Sequence, residues 1–239
     1  MSRWRAVIFD LDDTLYPERD YVLSGFRAVA DWAQRRGIDS ADSAFASLES
    51  MFAGGVRGDT FDRWLDFKGV PKVLAAEMVA VYRAHRPRLI PFPQIDGLLK
   101  SLRGGAKLGL VSDGYLAVQR AKFAALGLAE HFSAVVFSDE LGSDCWKPSP
   151  KPFERVLDLL HEEPAAAVYV ADNCAKDFLG ARRAGLSTIW VRYSGGDYCR
   201  IAPPTTDHAA GIIVDSIDHL AAVLGVDLTR PPPQYDRLR

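Results

Sequence analysis

The hydrophobic positions of this chain follow two different periods. Six short, largely apolar runs rich in β-branched residues predict strands at residues 5–9, 107–111, 134–138, 167–171, 187–191 and 211–214. Runs without polar alternation are typical of strands that are buried on both faces of a parallel sheet. Segments with helical spacing lie between them, at residues 115–127, 150–160 and 175–186. This alternation predicts an α/β fold with a doubly wound parallel sheet.

The interval between the first two predicted strands is too long for a single crossover helix. Within residues 16–93, apolar residues recur near 3.6-residue spacing, and glycine or proline marks the joins. We therefore predict an inserted α-helical cap domain of four or five helices at 16–93, standing over the carboxyl ends of the strands. The catalytic core would comprise residues 1–15 and 94–228. The proline-rich segment 229–239 would form a flexible tail.

Polar and charged side chains follow four of the predicted strands. They comprise Asp10, Asp12, Ser112, Asp113, Lys147, Asp172 and Asp177. In a doubly wound sheet the ligand lies beyond the carboxyl ends of the strands, so these side chains should converge there. Carboxylates brought together from separate segments need a cation among them, and oxygen ligands favour a hard ion such as Mg²⁺. The lysine would supply a second positive charge facing a phosphoryl group that a carboxylate attacks.

Composition and charge narrow the classes of function. The chain has 239 residues, 48% of them hydrophobic, and a formal net charge of −2, which does not favour nucleic acid as a partner. No apolar stretch approaches the ~20 residues that span a bilayer, and the first residues lack a signal-peptide layout. Three cysteines without paired spacing are expected to be free thiols. We predict a cytoplasmic monomer or homodimer with no membrane or nucleic-acid partner.

Four short motifs occur in order along the chain. "DLDDT", "VSDG", "KPSP" and "DNCAKD" each lie at or just after a predicted strand. In order and in strand context they resemble the four motifs of the haloacid dehalogenase superfamily, over roughly residues 5–223. The insert resembles the helical cap that this superfamily places between its first two motifs. The resemblance implies a Rossmann-like core and a Mg²⁺-dependent phosphatase. Its substrate would be a small phosphate monoester (a nucleotide, a sugar phosphate or a related metabolite), hydrolysed through an aspartyl-phosphate.

The same resemblance implies catalytic and metal-binding roles. Asp10 would be the nucleophile, and Asp12 the general acid that then acts as a base toward water. Lys147 would bridge the phosphate and Asp10. The metal ligands would be Asp10, the backbone carbonyl of Asp12, Asp172 and Asp177, the last holding either the metal's water shell or Lys147.

The remaining substrate-binding residues come from two sources. The resemblance implies that Thr14 orients the first loop and that Ser112, with the N–H groups of Asp113 and Gly114, binds phosphate oxygens. In the insert, the glycine-rich turn at 54–59 carries Arg57, which could meet a substrate anion. An exposed turn arginine without such a role fits that sequence equally well.

Three positions bear on the alternative functions. Dehalogenases of the superfamily lack an aspartate two residues after the nucleophile, so Asp12 favours phosphoryl chemistry. Phosphomutase relatives keep both aspartates but usually have glycine where Asp13 stands, and a phosphomutase is the alternative enzyme. Many relatives carry asparagine at the position of Asp113. A carboxylate aimed at phosphate would repel it, which leaves open a catalytically silent phosphate-binding or regulatory module, unless the side chain turns away.

Overall fold

The computed structural model describes residues 3–196 and 198–228. The chain divides into two compact units, one formed by Met1–Pro17 with Ile90–Arg239 and the other by Glu18–Leu89. The predicted cap spans 16–93, and its role over a substrate stays a prediction. The predicted tail, 229–239, lies outside the described residues. Within the described chain, no helix has both the length and the apolar character needed to cross a membrane.

The unit Glu18–Leu89 is helical. Its helices are α1 (Glu18–Arg35), α2 (Ala41–Ala53), α3 (Thr60–Lys68) and α4 (Ala75–Ala84), with a 3₁₀ turn at Lys72–Leu74. The hydroxyl of Ser40 caps α2 by accepting a hydrogen bond from the N–H of Ser43 at 3.2 Å. Gly69 ends α3 in the left-handed region, with φ 65°. Apolar residues at helical spacing close the unit's own core around Phe26, Trp64 and Met78.

The other unit contains a six-stranded parallel sheet. Its strands are β1 (Ala6–Phe9), β2 (Lys107–Ser112), β3 (Ala134–Phe137), β4 (Ala167–Ala171), β5 (Ser187–Val191) and β6 (Ile212–Val214). Their order in the sheet is β3-β2-β1-β4-β5-β6, and every pairing is parallel. The predicted Rossmann-like fold class is therefore confirmed, and the six predicted strands agree with the structure to within one residue at each end.

Helices cover the faces of this sheet. They are α5 (Ile95–Leu102), α6 (Leu116–Leu126), α7 (Lys151–Leu160), α8 (Asp177–Arg183) and α9 (Ile217–Leu224). The sequence pattern predicted α6, α7 and α8, whereas α5 and α9 were not identified. Both missed helices are eight residues long, one residue longer than α8, so their length does not explain why they were missed. Helix α7 buries Phe153, Val156 and Leu160 in the same core cluster as Tyr169 of β4.

The strand order places the end of β1 at the centre of the sheet. Strand β1 is paired with β2 on one side and β4 on the other, so the chain changes direction across the sheet beside β1. Phe9, its last residue, is aligned with Leu110 and Val170. A reversal of strand order leaves a crevice at the carboxyl ends of the strands. Asp10, the next residue, enters that crevice.

Candidate active site

Asp10 begins a tight loop at the end of β1. Its N–H donates to the carbonyl of Val170 at 2.9 Å, which extends the pairing with β4 by one residue. Asp13 then turns the chain with φ 50°, and the N–H of Leu15 closes the turn on the carbonyl of Leu11 at 3.0 Å. Asp10 is only 3% exposed. The loop therefore fixes a buried carboxylate at the centre of the sheet's carboxyl edge.

Lys147 joins two of the predicted carboxylates. Its Nζ lies 2.6 Å from Oδ1 of Asp10 and 2.7 Å from Oδ1 of Asp177, and it also donates to the hydroxyl of Tyr169 at 3.0 Å. The lysine side chain is fully buried. Burial acts to lower the pKa of Lys147, but Asp10 and Asp177 outweigh it and hold that pKa well above its ordinary value. The ammonium is thus a fixed positive charge beside Asp10.

Asp10, Asp172 and Asp177 form a cluster of carboxylates. One oxygen of each lies within 4.8 Å of the others, and all three residues are buried. Burial raises the pKa of Asp10 to about 6 against the attraction of Lys147. Burial, followed by the charges of Asp177 and Asp10, raises the pKa of Asp172 well above its ordinary value. Both shifts indicate that one lysine does not compensate these charges and that the cluster suits a hard divalent cation.

Asp12 is held apart from that cluster. Nζ of Lys122 lies 2.8 Å from its Oδ1 and 3.0 Å from its Oδ2, and Nε2 of Gln119 donates to Oδ2 at 2.9 Å. The hydroxyl of Tyr16 donates to Oδ1. Burial acts to raise the pKa of Asp12, but Lys122 and the hydrogen bond from Gln119 lower it below the ordinary value. Its carboxylate is not part of the three-residue cluster, and a role for its backbone carbonyl stays a prediction.

The sequence analysis did not identify the partners of Asp12. Lys122 and Gln119 lie on α6, three residues apart, and both are buried. Two polar residues on one buried helix face indicate that a polar partner lies opposite them, since long charged side chains are rarely buried without a partner. Periodicity alone does not reveal which loop they face. Tyr169 was missed for a similar reason, because its hydroxyl lies in a strand that is otherwise apolar.

The second predicted motif lies at the end of β2. Ser112 is buried, and its hydroxyl oxygen accepts a hydrogen bond from Nε2 of Gln119 at 3.0 Å. Gly114 has φ +127°, and a Cβ there would lie 3.2 Å from the Gln119 amide, so only glycine fits without strain. The hydroxyl of Thr14 is buried and, among the described residues, meets no hydrogen-bond partner. A role for Thr14 in orienting the loop stays a prediction.

The carboxylate of Asp113 is engaged by neighbouring loops. The N–H of Lys147 donates to its Oδ2 at 3.0 Å and to its Oδ1 at 3.3 Å, and the hydroxyl of Ser138 donates to Oδ1. Both oxygens therefore support the backbone that carries Lys147. Of the two possibilities that the sequence left open, this geometry matches a side chain turned to the protein, with its N–H left for a ligand.

Arg57 lies in the unit Glu18–Leu89. Its Nη1 donates to the carbonyls of Phe52 at 2.7 Å and Val56 at 3.0 Å. The guanidinium carbon lies 3.7 Å from the centre of the Phe52 ring. These contacts are the ones expected of a turn arginine, and its contact with a substrate stays a prediction.

Comparison with known protein families assigns the chain to one of them. The family model described as haloacid dehalogenase-like hydrolase matches residues 4–185, which include all of the residues discussed above for the sheet's carboxyl edge. The chain belongs to this family of hydrolases. The superfamily resemblance of the four motifs is thereby confirmed.

Individual relatives within this hydrolase family are phosphatases by name. A glyceraldehyde 3-phosphate phosphatase of Methanopyrus kandleri is 33% identical over 220 residues, covering 88% of this chain and 93% of that protein. A phosphoserine phosphatase of Thermus thermophilus is 33% identical over 221 residues, covering 78% and 88%. The crystal structure of a HAD phosphatase from Thermococcus onnurineus superposes with a TM-score of 0.61 at 27% identity, covering 92% of this chain and 98% of that one.

Proposed function

We propose that this protein is a Mg²⁺-dependent phosphatase that hydrolyses a small phosphate monoester through an aspartyl-phosphate on Asp10. The family and its phosphatase relatives identify the enzyme class, so the chain is a hydrolase of phosphoric monoesters. The observation that carries the finer proposal is the buried Lys147 ammonium, 2.6 Å from Asp10 within a cluster of three carboxylates. A nucleophilic carboxylate, a fixed cation and a place for a second cation are what phosphoryl transfer requires.

The chemistry proceeds in two steps that use the same residues. Lys122 and Gln119 favour the ionised form of Asp12, so Asp12 takes up a proton from solvent when the substrate binds. An oxygen of Asp10 then forms a bond to phosphorus while the ester P–O bond breaks, and the leaving oxygen takes that proton from Asp12. Asp12, now a carboxylate, then takes a proton from water as the water oxygen attacks the aspartyl-phosphate. The bond between the Asp10 oxygen and phosphorus breaks, inorganic phosphate leaves, and Asp12 releases its proton to solvent, so both aspartates return to their starting states. In both steps the Lys147 ammonium stabilises the negative charge of the transferring phosphoryl group.

The metal would be held by Asp10, Asp172 and Asp177, whose mutual distances fit a hard cation, as do the raised pKa values of Asp10 and Asp172. When bound, Mg²⁺ supplies positive charge that stabilises the transferring phosphoryl group. On the protein side, Ser112 and the N–H groups of Asp113 and Gly114 would bind phosphate oxygens.

The substrate class is a phosphorylated metabolite: a nucleotide, a sugar phosphate or a related compound. Glyceraldehyde 3-phosphate, phosphoserine and ribulose 1,5-bisphosphate appear in the names of relatives, so small phosphorylated compounds recur among them. That diversity selects no single substrate for this chain. A cytoplasmic location, expected from cysteines that remain unpaired in the structure, stays a prediction.

The contacts of Asp113 bear on the alternative of a catalytically silent module. That alternative depends on a carboxylate that repels phosphate, whereas here both oxygens accept hydrogen bonds from Ser138 and from the backbone of Lys147. A phosphomutase would differ from a phosphatase in its products. It would interconvert phosphate esters in the presence of a bisphosphorylated activator and release little inorganic phosphate.

Phosphate release provides the test. We would measure inorganic phosphate released from 4-nitrophenyl phosphate and from a panel of metabolite monophosphates, with Mg²⁺ and with EDTA. Asp10→Asn is expected to abolish turnover because the amide is not a nucleophile. Asp158→Asn, which changes an exposed aspartate on α7, serves as the matched control and should retain wild-type rates.

Three outcomes would contradict the proposal. A folded wild-type protein that releases no phosphate from any panel member would overturn it. Release that persists unchanged in EDTA would overturn the role of the metal. Conversion of one phosphate ester to another, with little free phosphate, would instead identify a mutase.

A further inference from the structure

The partners of Asp12 all come from the sheet-containing unit, and two of them lie on α6. We propose that Lys122 and Gln119 are positioning residues that hold Asp12 in register for both of its proton transfers. This inference rests on the proposed function, because it assigns Asp12 a proton-transfer role. Neither residue belongs to the four motifs that identify the site.

Lys122 fixes the plane of the Asp12 carboxylate. Its ammonium is within hydrogen-bond distance of both oxygens, at 2.8 and 3.0 Å, so rotation of the carboxylate would break one contact. The lysine side chain is 5% exposed, which leaves little room for it to move away. Charge-assisted hydrogen bonds of this kind are roughly twice as strong as neutral ones, and burial strengthens them further. The pair therefore behaves as a clamp on a group that must meet a leaving oxygen.

Gln119 links Asp12 to the phosphate-binding motif. Its Nε2 lies 2.9 Å from Oδ2 of Asp12 and 3.0 Å from the hydroxyl of Ser112, and it also donates to the carbonyl of Asp113. One amide thus sets the spacing between the group that handles the proton and the group that would hold the phosphate. Gly114 leaves the room that this amide occupies, since a Cβ there would crowd it at 3.2 Å. An error in this spacing lowers the rate even when every catalytic group is present.

The consequence differs between substrates. Expulsion of 4-nitrophenolate, a good leaving group, needs little help from an acid, whereas expulsion of phenolate needs a proton from Asp12. Hydrolysis of the aspartyl-phosphate needs Asp12 as a base with either substrate. If Asp12 is no longer positioned, formation of the aspartyl-phosphate from phenyl phosphate should slow. With 4-nitrophenyl phosphate, hydrolysis of the aspartyl-phosphate should become rate-limiting.

The test compares Lys122→Met and Gln119→Leu with wild type on these two substrates. We expect kcat/KM for phenyl phosphate to fall about 10- to 100-fold further than kcat/KM for 4-nitrophenyl phosphate, part of the range that general acid–base catalysis supplies. We also expect a burst of 4-nitrophenolate before the steady state, as the aspartyl-phosphate accumulates. The ratio of the two kcat/KM values does not depend on the fraction of protein that is folded.

Two further variants sharpen the comparison. Arg120→Met removes a cation from the same helix at a position whose side chain is 61% exposed, and it should leave both the ratio and the burst at wild-type values. Lys122→Arg keeps a cation, and it should recover part of the substrate ratio that Lys122→Met loses. If Lys122→Met does not fold, Gln119→Leu and Lys122→Arg still report the ratio.

The outcomes separate this inference from the function on which it rests. An active wild type whose Lys122 and Gln119 variants slow both substrates equally, without a burst, would overturn the inference and leave the phosphatase in place. A wild type that lacks Mg²⁺-dependent release, or that is unaffected by Asp10→Asn, would overturn the proposed function and this inference with it.

Discussion

Asp113 follows the strand end at which we propose that phosphate binds, and both of its oxygens accept hydrogen bonds from protein groups. The N–H of Lys147 and the hydroxyl of Ser138 are the donors. A carboxylate that accepts hydrogen bonds from two donors is held in place, because turning it away would break both. At the scale of one residue, the side chain thus supports the loop that carries Lys147, and its charge is directed to that loop.

Replacing Asp113 tests directly whether its carboxylate faces the protein or the phosphate. We expect Asp113→Asn to change the inhibition constant of inorganic phosphate by less than about threefold, which corresponds to under ~0.7 kcal/mol. Asp113→Ala removes both acceptors and should lower the free energy of unfolding by about 1–3 kcal/mol. Competitive inhibition assays and denaturant unfolding measure the two effects. Phosphate that binds tenfold or more tightly to Asp113→Asn would show that the charge faces the ligand.

At the scale of elements, α8 sets the position of the loop after Lys147. A Cβ on Gly180 would lie 2.7 Å from the carbonyl oxygens of both Pro148 and Ser149, closer than such atoms approach. The glycine therefore lets helix and loop meet backbone to backbone. Asp177, in the first turn of the same helix, reaches the Lys147 ammonium at 2.7 Å. The contact between α8 and the loop thus fixes both members of this ion pair.

We expect Gly180→Ala to reduce stability and activity together. The added methyl group must displace the loop or the helix, and such overpacking costs about 1–3 kcal/mol. Displacement of the loop would also move Lys147 away from Asp10, so kcat should fall. Denaturant unfolding and steady-state kinetics with 4-nitrophenyl phosphate measure the two effects.

The matched control is Gly97→Ala on α5. A Cβ at Gly97 meets no atom within 4 Å, so alanine should leave kcat unchanged and stabilise the helix by up to about 1 kcal/mol. Wild-type stability and kcat in Gly180→Ala would show that the helix and loop can separate without cost.

At the scale of the whole molecule, the strand order gathers like charges that oppose folding. Asp10 follows the central strand, and Asp172 and Asp177 follow β4 beside it, so the sheet cannot form without bringing them together. Burial raises the pKa of Asp10 from 3.8 to about 6, and that of Asp172 well above its ordinary value. A carboxyl group whose pKa is raised by folding favours the folded state when protonated and opposes it when ionised.

This sign predicts how pH and metal act on stability. As pH rises from about 4 to about 6, Asp10 ionises in the unfolded chain before it does in the folded chain, so the metal-free protein loses stability. Asp172, whose pKa is also raised, extends this loss of stability to higher pH. Mg²⁺ binds the ionised carboxylates, so its stabilisation should be small near pH 5 and larger near pH 8. Thermal unfolding with Mg²⁺ and with EDTA at both pH values measures the difference.

Asp172→Asn is the variant that isolates the cluster. It removes one repelling charge, so the metal-free protein should unfold at a higher temperature than wild type near pH 8, and added Mg²⁺ should no longer raise its midpoint. Asp158→Asn should behave as wild type in both respects. A Mg²⁺ effect that is equal at the two pH values, or that survives in Asp172→Asn, would contradict the assignment of these carboxylates.

The sequence by itself determined the strands and the residues that follow them. Runs such as "AVIF" and "AVYVA" are apolar on both faces, which is typical of strands in a covered parallel sheet, and the motifs after such strands meet at one edge. The sequence pattern did not identify α5 or α9, and it did not settle the direction of the Asp113 side chain. The partners of Asp12 were also beyond it, because Lys122 lies 110 positions away in the chain. Local patterns fix local elements, whereas contacts between distant side chains exist only once packing has brought helix α6 against the loop after β1.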